Sequence, residues 1–111
     1  MPTVEQLEKL LSLDPADPFV LYGLAQAHAK EGRHGEAVGF YDRCLAEDPH
    51  YCYAYYHKAR SQEAVSEFAN AAATLEAGLE VANAVGEAQA ISEIGQFLES
   101  IQDVLARSGN S

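Results

Sequence analysis

The stretch DPADPFVLYGLAQAHAKEGRHGEAVGFYDRCLAEDP, residues 14–49, opens and closes on the same dipeptide. Asp14-Pro15 returns as Asp48-Pro49 thirty-four residues later. Self-similarity at a period of about 20–50 residues marks an array of identical supersecondary units. Between the two copies the residues read as a helical hairpin. Asp17 is a good N-cap, and Pro18 stands at the first helical position, where its missing N–H costs nothing. That start predicts a helix from Pro18 to about Glu31. Lys30 and Arg33 bracket its end, where positive charge complements the helix dipole. Gly32 supplies the left-handed residue that a C-terminal cap requires. A second helix is expected from about His34 to Glu47, with Ala37, Val38, Tyr41, Cys44 and Leu45 on its inner face.

Working outward, the next period predicts helices near Tyr51–Ala64 and Glu67–Ala84, with Ser66 as the N-cap of the latter. Asn83 stands where Pro15 and Pro49 would predict proline, so that helix is expected to run on and stop near Gly86. Upstream, Thr3 and Gln6 have the spacing of a capping box. Val4, Leu7, Leu10 and Leu11 then form an apolar stripe that ends at Asp14-Pro15. By the period, this segment matches the second helix of a hairpin whose first helix is missing. Downstream, Ile91, Ile94, Leu98, Ile101 and Leu105, with Phe97 and Val104 alongside, predict one long amphipathic helix over 87–106. The expected fold is all-α with six helices.

Leu21, Leu24, Ala25 and His28 stand where the tetratricopeptide pattern has its Trp, Leu, Gly and Tyr, and Gly32, Ala37, Tyr41 and Pro49 complete the unit. The chain resembles the tetratricopeptide-repeat (TPR) family. In the second unit Ala59, Ala71 and Leu79 keep their roles. Lys58 replaces the usual Leu, Gln62 the Tyr and Ser66 the turn glycine. The resemblance implies a right-handed superhelical stack of antiparallel hairpins forming a single domain, 1–111. Its parts would be a partial-repeat helix (4–13), a first repeat (18–51), a second (52–85) and a capping helix (87–106). About three repeats are normally needed for stability, and the half-repeats at the two ends bring the stack near that number.

In function, the resemblance implies a non-enzymatic scaffold that binds a protein or peptide segment on the concave surface formed by the first helix of each hairpin. The inward positions are Phe19, Tyr22, Gln26 and Lys30 in the first repeat. In the second they are Tyr53, Tyr56, Arg60 and Ala64, with His57 beside Tyr56. Aromatic residues and Arg carry much of the energy at protein interfaces, although repeat tyrosines also pack between helices. One family mechanism is disfavoured. The carboxylate clamp that grips chaperone tails needs Lys, Asn and Arg, whereas Tyr22, Gln26, His57, Ala90 and Ile91 stand at those positions. An alternative role is homo-oligomerisation, as a homodimer through the apolar stripe of the last helix.

Composition bounds the remaining classes. Apolar residues make up 48% of the chain, which argues against disorder. The formal charge of −10, with seven scattered Lys and Arg, argues against nucleic acid, whose phosphates are bound mainly by those residues. It favours neutral or basic peptide partners. No apolar run approaches a membrane span, and no secretory signal is visible. Cys44 and Cys52 form neither a metal nor a redox motif, and a reduced, cytoplasmic setting is expected. His50, Cys52 and His57 match no zinc spacing. No phosphate-cradling loop or catalytic constellation is present, so no metal, cofactor or catalytic residue is expected.

Overall fold

The first two helices each begin on a side-chain cap. In the computed structural model, which describes residues 2–109, the Thr3 hydroxyl accepts the Gln6 N–H at 3.1 Å. The Gln6 side-chain oxygen accepts the Thr3 N–H at 2.9 Å. This reciprocal cap starts α1 (Val4–Leu13). The Asp17 carboxylate accepts the N–H groups of Phe19 and Val20 at 2.9 and 3.4 Å and starts α2 (Pro18–Lys30). Gly32, at φ 80, turns the chain into α3 (His34–Glu47). Asp48-Pro49 then stops α3, and α4 (Cys52–Ala64) follows.

The second inter-helix turn corrects one expectation. Ser66 does not cap α5 (Phe68–Val85). The N-cap is Glu67, without a side-chain hydrogen bond, and Ser66 stands at φ 63 in the left-handed region that Gly32 occupies one period earlier. The turn geometry prevails over the capping preference because the hairpin needs that backbone conformation, which costs a non-glycine residue about 1–2 kcal/mol. Asn83 behaves as its missing ring predicts. Its side chain donates to the Leu79 carbonyl at 3.0 Å within the helix, and α5 runs eighteen residues to Gly86, at φ 75. The last helix, α6, spans Ala88–Gly109, three residues longer than expected at its C-terminal end.

Successive helices pack as antiparallel neighbours, and small residues let them approach. Ala25, Ala37, Ala59 and Ala71 are all fully buried. Gly78 is pressed so closely on α4 that a Cβ there would stand 2.6 Å from that of Tyr55. The sequence departures of the second hairpin turn out to be exchanges of partner. In the first, His28 stacks on Phe40 with ring centroids 5.3 Å apart. One period on, the same two positions hold Gln62 and Thr74, and the Thr74 hydroxyl donates to the buried Gln62 oxygen at 2.8 Å. Lys58, in the register of Leu24, reaches Asp42 at 2.6 Å. A hydrogen-bonded polar pair thus replaces a ring stack without leaving an orphaned buried side-chain group among the described residues.

The core divides between the hairpins, and α6 closes one end. Ile94 and Ile101 are fully buried and Leu98 nearly so, with Ile91, Phe97 and Leu105 partly covered by the same cluster. The outward residues Gln96, Glu99, Gln102 and Asp103 are exposed. The apolar stripe offered as a dimer surface is therefore covered inside the chain. No helix of the described residues is long and apolar enough to cross a membrane.

Candidate interaction surface

The first helices of the hairpins lie on the inside of a curve. The backbones of α2 and α4, and of α4 and α6, approach each other closely, whereas those of α1, α3 and α5 do not among the described residues. The inner side carries a row of rings that crosses all three helices. Tyr22 lies 4.8 Å from Tyr51 and 5.8 Å from His57, measured between ring centroids. His57 lies 5.2 Å from Tyr56, and Tyr56 lies 5.3 Å from Phe97 of α6 and 6.3 Å from Tyr53. These separations suit edge and tilted aromatic contacts. The row is a packed layer of half-buried rings with one side toward solvent.

At one flank of the row a cleft of about 420 Å³ is lined by Gln26, Lys30, His34, His57, Arg60 and Ser61, among others. His34 Nδ1 and Ser61 Oγ are 3.1 Å apart and join α3 to α4 behind it. The Gln26 amide donates to the Tyr22 hydroxyl at 3.2 Å. Lys30 and Arg60 are exposed and make no ion pair among the described residues, whereas Arg33 pairs with Glu31 and Lys58 with Asp42. The cleft is thus cationic at its rim, although Glu63 shares its lining.

Electrostatics keep these groups neutral. Burial, reinforced by Tyr51 and Cys44, pushes the Tyr22 phenol well above the usual tyrosine range. Desolvation and then Glu93 and Glu87 raise Tyr53. His57 is held below its ordinary value by burial and by Arg60, with Glu93 opposing. Uncharged phenols and an uncharged imidazole offer flat contact area and hydrogen bonds rather than nucleophiles. Burial also pushes the Cys44 thiol up to about 11, which leaves it unreactive at neutral pH. No group of three metal-ligating side chains occurs among the described residues.

Of the residues singled out from the sequence, Tyr22, Gln26, Tyr53, Tyr56, His57 and Arg60 come together on this side, with Lys30 at the edge of the cleft. Phe19 does not join the ring row. It is 74% exposed and lies toward α1. Ala90, assigned to a clamp position, is fully buried in the core. The groups α6 turns toward α4 are Glu93 and Phe97, because the longer α5 delays the start of α6 and rotates its register. Tyr51, His34 and Ser61 were also missed. Tyr51 reads only as the start of a helix, whereas it is the N-cap of α4, and the contact between His34 and Ser61 spans twenty-seven residues that no local spacing links.

The Tetratricopeptide repeat family profile matches residues 3–62, more than half of the chain. A TPR repeat-containing protein of Pseudomonas aeruginosa is 28% identical over 98 residues, covering 88% of this chain and 93% of that protein. Among solved structures, the TPR2B domain of yeast Sti1, in a complex with pHsp70, is similar with a TM-score of 0.85 and 28% identity. That alignment covers 90% of this chain and 80% of the other. A tetratricopeptide repeat domain protein of Salinibacter ruber aligns with a TM-score of 0.75 and 31% identity, over 81% of this chain and 91% of its own. With its helical hairpins, thirty-four-residue period and profile match, the chain belongs to the tetratricopeptide repeat family.

Proposed function

We infer that the chain is a non-enzymatic interaction module that takes a peptide or protein segment on the side formed by α2, α4 and α6. The observation that carries this reading is the ring row from Tyr22 through His57 and Tyr56 to Phe97. Its members come from three separate helices, and their rings stay partly exposed. Tyr22, Tyr53, Tyr56 and His57 supply stiff contact area, Gln26 hydrogen bonds, and Arg60 and Lys30 pair with carboxylates on the ligand. The yeast domain similar to this chain occurs in a complex with pHsp70, which supports a binding role for the fold without naming this chain's partner. The net charge of −10 favours neutral or basic segments and association that weakens as salt rises. Self-association through α6 has no supporting surface, since Ile94 and Ile101 are fully buried within the chain.

Replacing Tyr22 and Tyr56 together by Ala tests this. Each truncation of an interface anchor costs about 2 kcal/mol or more, so the double variant is expected to lose the proteins that the wild type captures while keeping its helical circular dichroism. Because Tyr22 also packs on Tyr41, the pair Tyr56→Ala and Arg60→Ala serves as a milder check. A folded double variant that captures the same proteins as wild type would move the site elsewhere.

A further inference from the structure

Two charges of opposite sign stand on the inner side, and neither makes an ion pair among the described residues. Arg60 rims the cleft together with Lys30. Glu93 stands on α6, where its carboxylate accepts the Gln89 amide at 2.8 Å. The register of α4 and α6, which run the same way, places Glu93 among the rings. Phe97 lies 5.3 Å from Tyr56 between centroids. One turn earlier on each helix stand Glu93 and Tyr53, so these two side chains face each other. Beyond the effect of desolvation, the Glu93 charge raises the Tyr53 phenol. Tyr53 in turn lies 6.3 Å from Tyr56, edge to face. Three rings and one carboxylate thus frame a corner of the surface. Arg60 follows Tyr53 by seven residues on the same face of α4, about 10 Å along the axis. Neither Arg60 nor Glu93 stands in a terminal turn, where it would answer its own helix dipole. Elsewhere the chain pairs its charges, as Lys58 does with Asp42 at 2.6 Å. Here it holds them apart, with the ring row between.

We propose that the corner of Tyr53, Tyr56, Phe97 and Glu93 is a subsite for a cationic side chain, and that the partner is an extended segment with Lys or Arg three residues from Asp or Glu. The inference rests on the ring row being the binding surface. A cation beside tyrosine and phenylalanine rings is attracted by their quadrupoles, the more so where water is displaced, and Glu93 supplies the opposite charge. The ligand's carboxylate then falls to Arg60 and Lys30, next to the Gln26 amide. Spacing selects the conformation. In a polyproline-type segment, residues three apart face the same way and are separated by about 9 Å, close to the distance between the poles. Such a segment makes no internal hydrogen bonds, so its backbone is open to Gln26 and the phenols. Charge selects the composition. A segment that carries one cation and one carboxylate has no net charge and escapes repulsion by the chain's −10.

The test titrates full-length, nitrogen-15-labelled protein with the acetylated, amidated peptide Leu-Lys-Pro-Pro-Glu-Leu. Three relatives accompany it: one with Gln for Lys, one with Gln for Glu, and one with five prolines between the charges. Saturating shifts are expected at the amides of Tyr53, Tyr56, His57 and Arg60. Loss of either charge, or the longer spacing, should weaken binding by roughly two- to fivefold. Glu93→Gln should erase the advantage of the peptide's Lys and keep that of its Glu, and Arg60→Gln should do the reverse. Three results would overturn the proposal. Equal affinities for all four peptides at these amides would refute the two poles and leave the ring row standing. A Lys advantage that survives Glu93→Gln would place the cation elsewhere. No saturating shift with any peptide at millimolar concentration would refute the segment, and the row would then be judged by capture through Tyr22 and Tyr56.

Discussion

At one end of the stack α6 turns Gln96, Glu99, Gln102 and Asp103 to water and covers Ile94, Leu98 and Ile101 against α5. At the other end α1 buries Leu7 and leaves Leu10 half in solvent and Leu13 83% exposed. Both are half-repeats, yet they do opposite things. A helix of twenty-two residues with apolar positions every three or four supplies three large side chains to the core, each stabilising by about 1.5–3 kcal/mol. A helix of ten residues supplies one. Repeat arrays are held together by nearest-neighbour contacts, so each end has its own local stability. The C-terminal end is closed, and the N-terminal end is open.

The comparison can be broken most severely by truncation. Removing residues 87–111 bares the apolar face of α5, and the product is expected to aggregate or lose much of its helicity. Removing residues 1–15 should leave a folded chain with a lower melting temperature. Size-exclusion chromatography and circular dichroism of the two truncations decide this, and a folded, soluble chain without α6 would reverse the assignment of ends. Single side chains sharpen the same contrast. Ile94→Ala should cost about 2–5 kcal/mol, as deletions in a filled core do, whereas Leu10→Ala should cost about 1 kcal/mol or less. Chemical denaturation of both variants reads the difference directly, and equal losses would show that α1 is as firmly seated as α6. A smaller effect comes from the middle of the stack. Ser66→Gly relieves the left-handed strain at φ 63 and should raise stability by about 0.5–1 kcal/mol, less than the full strain because glycine also loosens the unfolded chain. A lower melting temperature would mean that the serine side chain supports the turn.

Much of this was legible because the signals were local. The recurrence of Asp-Pro, the capping pair Thr3 and Gln6, and proline at position 18 each act within a few residues, and the first hairpin follows from them. Ser66 was misread because a serine before a helix offers two local roles, cap and turn, and only the geometry of the whole hairpin selects between them. The candidate surface was partly legible for a similar reason. Tyr22 and Tyr56 are one period apart, so periodicity alone places them on neighbouring helices. Glu93 and Phe97 were missed because the absent proline at position 83 lengthens α5, and that change shifts the register of everything after it. Phe19 occupies an inward register, but it lies toward α1 and away from the ring row.

The difference between the two ends is tested most directly by native-state hydrogen exchange of the full-length chain, read amide by amide. The amides of α6 around Ile94 and Ile101 should exchange with opening free energies close to that of global unfolding, and those of α1 around Leu7 and Leu10 with values several kcal/mol lower, roughly those of a fraying terminal element. Equal protection of α1 and α6, or an α6 that opens before α1, would contradict a stack closed at its C-terminal end and open at its N-terminal end.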